Sequence, residues 1–262
     1  MRQTFPVLLA GVLSAGVLAP IPAHAQDDSP DDAWAFVIGA GGGIAPEYEG
    51  SEDYDLVPYA MIRVERGPYW AALTGPELKA NVLPDETFEF GPLVRYRGER
   101  DDVSNDAVDA LEDVDAAVEV GGFAAIDHDG WLAEASVVQD VGGGHEGLLA
   151  ELEAGYRFTV SEAFSLTALA STGYASGGYM SAYFGVDNDD SVRSGLDAYD
   201  ADAGFKDVGL SLRARYAFSE AWALTGVASY KRLLGDAADS PVVDDEGSEN
   251  QVTGIVGLSY AF

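Results

Sequence analysis

Apolar and polar residues alternate along much of this chain, and the alternation is clearest at its C-terminal end. Val252, Val256, Leu258, Tyr260 and Phe262 fall on one parity, whereas small or polar residues occupy most of the other. Successive side chains of a β-strand point to opposite faces. This segment therefore predicts a strand with one apolar face and one polar face.

The same alternation recurs along the chain and sets the predicted fold class. Strands of about ten residues that alternate in this way are typical of transmembrane β-barrels. We predict an all-β fold, a transmembrane antiparallel up-and-down β-barrel of about 12 strands, with ten strands as the alternative. A soluble β-sandwich is the competing interpretation, but the charges on the predicted inner faces argue against it. The predicted strands are 34–45, 55–65, 68–74, 76–83, 87–98, 115–127, 130–141, 147–159, 163–174, 205–218, 221–233 and 250–262.

Connection lengths provide an independent test of the barrel. If the N-terminus lies in the periplasm, the even-numbered connections are all short, and the odd-numbered ones include 98–115, 175–204 and 234–249. Bacterial barrels have short periplasmic turns and longer extracellular loops. The odd-numbered connection at Gly75-Pro76 is too short for this rule. A single bent strand over 68–83 would invert every later connection, so we prefer two strands there.

The N-terminal residues predict export. Arg2, the apolar segment 7–18 and the Ala23-His24-Ala25 motif have the form of a cleaved secretory signal. We expect residues 1–25 to be a signal peptide and residues 26–262 to form one outer-membrane barrel domain. The expected location is the cell outer membrane of a Gram-negative bacterium. The chain has no cysteine, so no disulfide stabilises the exported protein.

The charge of the chain limits its partners. It has 45 acidic and 14 basic residues, a net charge of −31 that argues against nucleic-acid binding. The acidic residues concentrate in the predicted loops, where they either remain solvated or bind divalent cations that bridge to lipopolysaccharide. No segment has the spacing of an EF-hand, so we predict neither a cofactor nor a dedicated metal site.

Few residues could support catalysis, and we predict that the protein is not an enzyme. His128 and His145 are the histidines that remain after removal of the signal, and they are predicted at opposite ends of the barrel. The glycine runs 41–43 and 142–144 lack the Lys-Ser/Thr of a phosphate-binding loop. Strand bending and tight turns explain these glycines better.

Charged residues on the inner faces of the predicted strands are a candidate functional group. One interpretation is an ion-paired plug that fills a narrow barrel; the other is a selectivity lining for an anionic solute. The residues predicted to face the lumen are Arg95, Arg97, Arg157, Arg213, Arg215 and Lys231, together with Glu89, Glu119, Glu134, Glu151 and Glu153.

Residues 46–55 (PEYEGSEDYD), between the first two strands, resemble the signature of the MltA-interacting protein (MipA)/OmpV family of outer-membrane proteins. Segments 91–100, 111–115, 118–122 and 183–186 follow in the order of the family. This resemblance covers essentially the whole chain after the predicted signal. Residues 257–262 (GLSYAF) are also similar to the signal read by the barrel-assembly machinery, through Gly257, Tyr260 and Phe262. That signal usually has a polar residue at the position that Ile255 occupies here. Thr253 would supply the polar residue instead.

Within the signature loop, turn residues alternate with tyrosines that carry a polar tip. The loop either folds against the barrel mouth or contacts a ligand or partner, and both interpretations stay open. Its candidate residues are Pro46, Tyr48, Gly50, Ser51, Asp53 and Tyr54.

The resemblance implies a function as a non-enzymatic scaffold. In the family this scaffold links a lytic transglycosylase to a peptidoglycan synthase at the inner side of the outer membrane. Outer-membrane lipid, lipopolysaccharide and the barrel-assembly machinery are the further expected partners. The alternative is a small-solute channel, or a surface receptor or adhesin, of the same membrane.

Overall fold

The computed structural model describes residues 33–262, so the predicted signal peptide lies outside the described residues. Within that range, twelve antiparallel strands pair in chain order and close between the first and the last. The predicted barrel of 12 strands is confirmed, and the alternative of ten strands is wrong. The strands are β1 (Trp34–Pro46), β2 (Tyr54–Arg66), β3 (Tyr69–Thr74), β4 (Glu77–Asn81), β5 (Phe88–Arg97), β6 (Ala117–His128), β7 (Trp131–Asp140), β8 (Leu148–Thr159), β9 (Phe164–Ala175), β10 (Gly204–Ala217), β11 (Trp222–Leu233) and β12 (Asn250–Ala261).

The faces of the strands are the reverse of those in a soluble barrel. In β5, Phe90 and Val94 are exposed on the outside, whereas Arg95 and Arg97 are buried inside. The outer apolar side chains would be unfavourable in water, but hydrocarbon solvates them in a bilayer. Closure of the ladder also pairs the backbone without a free sheet edge along most of the wall.

The seam between β1 and β12 depends on the glycine run 41–43. Gly41 is opposite Gly257, and a Cβ on Gly41 would lie 2.1 Å from the carbonyl oxygen of Val256. A Cβ on Gly43 would lie 2.0 Å from the carbonyl oxygen of Gly254. The absence of side chains therefore allows the two strands to bend and pair closely, as expected for glycine in a strand.

The two ends of the barrel differ in their connections. One end, here the short-turn end, carries connections 67–68, 82–87, 129–130, 160–163 and 218–221. The other, the long-loop end, carries 47–53, 98–116, 141–147, 176–203 and 234–249. Outer-membrane barrels place the short turns in the periplasm and the long loops outside the cell.

Short helices, which the sequence did not predict, occupy the long loops. They are α1 (Asp106–Asp109), α2 (Gly177–Phe184), α3 (Asn188–Ser194), a 3-10 turn at Gly235–Ala237 and α4 (Pro241–Asp244). Within residues 33–262 no helix has the length and apolar character needed to cross a bilayer.

The short connection at Gly75-Pro76 is explained by a hairpin that stays in the barrel wall and reverses before it reaches the long-loop rim. β2 pairs with β3 only from Arg66 to Met61, about half its length. The Gly75 amide then donates to the Ala60 carbonyl at 2.8 Å, and the turn ends there. Above the turn Leu56 is 85% exposed. Two strands are therefore present, so each later connection lies at the end of the barrel that was predicted for it.

Helix α2 lies inside the mouth of the barrel. Tyr179 and Phe184 are both 0% exposed and belong to one apolar cluster with wall residues that include Phe123 and Leu149. The barrel therefore has an apolar core at its long-loop end, built from a loop and the inner faces of the strands.

Candidate functional site in the barrel lumen

A network of ion pairs crosses the upper lumen below α2. Arg95 Nη2 donates to Glu77 Oε2 at 2.8 Å and to Glu151 Oε2 at 2.6 Å. Lys79 Nζ lies 3.0 Å from Glu77 Oε1 and also pairs with Glu134. A charge removed from water is tolerated when it is paired and hydrogen-bonded. Arg95 and Lys79 are both paired in this way with carboxylates. Pairing of this kind supports the plug interpretation for Arg95 and Glu151.

Glu119 joins this network to a histidine. Its carboxylate is 0% exposed, accepts from Arg97 Nε at 2.6 Å and lies 3.0 Å from His145 Nε2. His145 Nδ1 accepts from the Gly147 amide at 3.0 Å, which assigns the ring proton to Nε2. Both ring nitrogens are occupied, so His145 holds the loop 141–147 and has no lone pair available as a base.

The two histidines lie at opposite ends of the barrel. His128 is the last residue of β6 at the short-turn end, with an exposed side chain. Its nearest ion-pair partner is the adjacent Asp129, at 3.4 Å. Within residues 33–262 no group of three or more His, Cys, Asp and Glu side chains is arranged to hold a metal ion.

A second buried cluster ties the signature loop to α2 and β10. Lys206 is 2% exposed, pairs with Glu49 and donates to Asp207 Oδ2 at 2.6 Å. The Tyr179 hydroxyl also donates to Glu49. Burial alone would raise the pKa of Glu49, but Lys206 and then Lys231 outweigh it and lower the pKa to about 2. Sequence reasoning missed this cluster because Glu49 and Lys206 are 157 residues apart in the chain.

The signature loop folds back against the barrel mouth. Gly50 has φ +102°, and a Cβ there would lie 2.6 Å from Val243 Cγ2. The Gly50 amide donates to Gln251 Oε1 at 3.3 Å, and Gln251 Nε2 donates to the Ser51 carbonyl at 3.2 Å. A positive φ and this close contact explain why glycine occupies position 50.

Not all the signature residues share this environment. Pro46 ends β1 and Tyr48 is buried beside it, whereas Asp53 and Tyr54 are exposed on the rim. The Tyr54 hydroxyl accepts from the Val252 amide at 3.2 Å. The structure therefore brings Pro46, Tyr48, Gly50 and Ser51 toward the interior, and leaves Asp53 and Tyr54 outside it.

A cavity of about 80 Å³ lies under the signature loop. Its lining joins the loop to β5, α2 and the upper ends of β11 and β12. The hydroxyls of Tyr48 and Tyr183, both in this lining, are buried and have no hydrogen-bond partner within the described residues. The lining also includes Glu49, Arg97, Arg100 and Lys231.

Other predicted lumen charges lie nearer the short-turn end. Arg157 Nη2 donates to Asp127 Oδ2 at 2.8 Å. Arg213 and Arg215 of β10 are half-buried, and Glu153 of β8 is buried. The structure therefore divides the predicted lumen charges between two levels of the barrel.

The terminal strand carries its aromatic residues on the outside. Tyr260 lies 4.9 Å from Trp222 and 4.8 Å from Phe262, measured between ring centroids. The Phe262 amide donates to the Phe36 carbonyl at 2.9 Å across the seam. Gly257 lies in the same strand, on the inner side. A Cβ added to it would lie 3.4 Å from Tyr59 Cδ1. A role of these residues in assembly stays a prediction.

The chain is similar to a protein family, to named relatives and to solved structures. The model of a family described as MltA-interacting protein MipA matches residues 38–262. The MltA-interacting protein of Escherichia coli (strain K12) is 27% identical over 266 residues, which cover 98% of each chain. Among solved structures, the NanC porin is similar, with 9% identity, a TM-score of 0.48, and coverage of 85% of this chain and 98% of that chain. The COG4313 outer membrane channel from Pseudomonas putida F1 has 10% identity and a TM-score of 0.46, and covers 91% and 98%.

Proposed function

This chain belongs to the MltA-interacting protein MipA family, and from that membership we propose that it is a non-enzymatic scaffold of the outer membrane. In this proposal its periplasmic end holds a lytic transglycosylase and brings it to a peptidoglycan synthase. The Escherichia coli relative is named for an interaction with MltA. The family match supports this function, and the features of the lumen described above support it further.

The observation that carries the proposal is the filled lumen. Helix α2 packs into the mouth, and the ion pairs around Arg95 and Glu119 cross the barrel below it. Each of these charges pairs with an opposite charge of the protein, which reduces its attraction for a passing ion. A barrel closed in this way supports a function at its surface more than one in conduction.

The short-turn end offers a surface for such a partner. Glu86, Asp129, Glu162 and Glu220 are exposed in four different turns of this end. Acidic groups spread around one rim favour a partner with a basic face, and the attraction would weaken as salt screens it. We therefore assign the proposed partner surface to this acidic rim.

Affinity purification from solubilised membranes tests the scaffold function. We expect the tagged protein to enrich a lytic transglycosylase at low salt, and the variant Glu86→Lys/Glu162→Lys/Glu220→Lys to lose most of that enrichment. The matched control is Glu52→Lys/Asp101→Lys/Asp197→Lys, which reverses three exposed acidic residues of the long loops and should bind like the wild type. Absence of any cell-wall enzyme from the wild-type eluate would contradict the proposal.

A further inference from the structure

The cavity under the signature loop contains polar groups that the protein itself does not satisfy. Tyr48 is 7% exposed and Tyr183 is 5% exposed, and both hydroxyls lack a partner within residues 33–262. The Ser51 hydroxyl lies beside Tyr48 and accepts from the Asp53 amide at 3.0 Å, but no hydrogen bond joins the two hydroxyls. Buried polar groups are nearly always hydrogen-bonded, so two such hydroxyls in one cavity indicate that something else occupies it.

A buried cation faces the same cavity. Arg100 is 6% exposed and donates to the carbonyl oxygens of Tyr183, at 3.0 Å, and Glu112, at 3.2 Å. It forms no ion pair with any carboxylate of the described chain, in contrast to Arg97, which pairs with Glu119. A buried guanidinium without a counter-ion is unfavourable. Asp190 and Asp113 act on Arg100 only from beyond ion-pair distance, so no carboxylate of the described residues contacts its guanidinium.

Two of the three carboxylates in the cavity lining are already engaged, and the third, Glu99, is exposed to solvent. Glu49 pairs with Lys206, and Glu47 accepts from the amide and the hydroxyl of Ser104, each at 3.0 Å. Burial lowers the pKa of Arg100 and raises the pKa of Tyr48 and of Tyr183 to about 12. At neutral pH both hydroxyls therefore keep their protons and can donate them to an acceptor.

We propose that this cavity binds a small oxyanion, a carboxylate or phosphate group, through Arg100, Tyr48 and Tyr183. A guanidinium and two phenolic hydroxyls can each donate hydrogen bonds, and the oxygens of an oxyanion accept them. A single water needs roughly 10–15 Å³ of such space, so a cavity of about 80 Å³ holds about five waters or one small organic anion. The site lies at the end opposite the acidic rim and is independent of the scaffold function.

The oxyanion could come from a dissolved solute or from the phosphate of a lipopolysaccharide headgroup, and the same chemistry would bind either. Calorimetric titration of the folded protein in detergent separates the two sources. Inorganic phosphate and acetate, added at constant ionic strength, probe the free solute. Lipid A monophosphate in mixed micelles probes the headgroup.

Removal of single hydroxyls tests the site without disturbing the packing. A hydrogen bond to a charged group is lost in Tyr48→Phe and in Tyr183→Phe, so we expect each to weaken binding by about tenfold or more. Tyr199→Phe is the matched control, because its hydroxyl donates to the Asp236 carbonyl at 3.1 Å outside the cavity lining. It should bind like the wild type.

Three outcomes are decisive. Binding of phosphate or acetate that is weakened in the two cavity variants supports a solute site, and binding of lipid A alone with the same loss supports a headgroup site. Absence of binding by every probe, or equal affinity in Tyr48→Phe, Tyr183→Phe and the wild type, would overturn the proposal.

Discussion

The two levels of the barrel interior hold their arginines in different ways. At the long-loop end Arg95 and Arg97 are almost completely buried, and carboxylate oxygens lie 2.6 Å from each. At the short-turn end Arg213 and Arg215, which follow the same strand alternation, are only half-buried. The difference is one of burial: α2 covers the upper level and excludes water from it, so the charges there depend on protein partners alone. Arg157 at the short-turn end also pairs with a carboxylate, that of Asp127. The alternation of the strands places an arginine inside the barrel, and the loops decide how completely it is buried.

The test with the largest expected effect removes helix α2, which covers the upper level. The wild-type protein is expected to be electrically silent in planar bilayers. Replacement of residues 177–184 by a flexible Gly-Ser segment removes α2 from the mouth, and we expect a stable conductance to appear. The control replaces 188–194, which form α3 outside the apolar cluster, and should stay silent. A wild-type barrel that conducts steadily would contradict both the comparison and the proposed scaffold function.

A second test compares one charge from each level. Glu119→Ala leaves Arg97 and His145 buried without their carboxylate. Loss of one partner of a buried pair typically costs about 3–5 kcal/mol in the free energy of unfolding. Arg215→Ala removes a half-buried side chain and should cost less than about 1 kcal/mol. Urea unfolding in detergent, followed by tryptophan fluorescence, measures both, and equal losses would show that the two levels do not differ.

A third and smaller effect is the pH dependence of the upper level. Glu49 has a pKa of about 2 in the fold against 4.5 for the free group, because Lys206 offsets the opposing effect of burial. A carboxyl with a lowered pKa stabilises the fold above its unfolded value, and this stability is lost as the pH falls through the folded value. We therefore expect Glu49 to contribute to a loss of stability between about pH 4.5 and pH 2.

The variant Glu49→Gln should flatten this part of the stability curve, because the amide does not titrate there. Glu52→Gln, an exposed change in the same loop, is the matched control and should follow the wild-type curve. Thermal unfolding at a series of pH values gives the comparison. An unchanged acid slope in Glu49→Gln would show that Glu49 does not contribute to it.

Much of the fold could be predicted from local pattern. β9 was predicted at 163–174 and is found at Phe164–Ala175, and the other predicted strands agree similarly well. The hairpin at Gly75-Pro76 shows where such reasoning reaches its limit. Two turn residues predict the reversal of the chain, but they do not predict that the reversal occurs part-way up the barrel wall, before the rim.

The candidate site could be predicted only in part. Residues 46–55 stood out as a signature, and the inner parity of Arg97 followed from β5. Nothing in the sequence indicated that Tyr183 and Arg100 would meet Tyr48 around one cavity. The loops that carry these residues have no period of their own, so pattern reasoning has nothing to detect there.

The sequence by itself determined where the strands lie along the chain and which face each turns to lipid, and it left their number at twelve or ten. These depend on alternation and turn residues, which act between close neighbours in the chain. The tertiary structure alone decided how the interior is filled. Glu49 reaches Lys206 across 157 positions of sequence because the closed wall forces the long loops to pack over one shared opening. Contacts at that range depend on shape and charge inside the barrel, which no local pattern records.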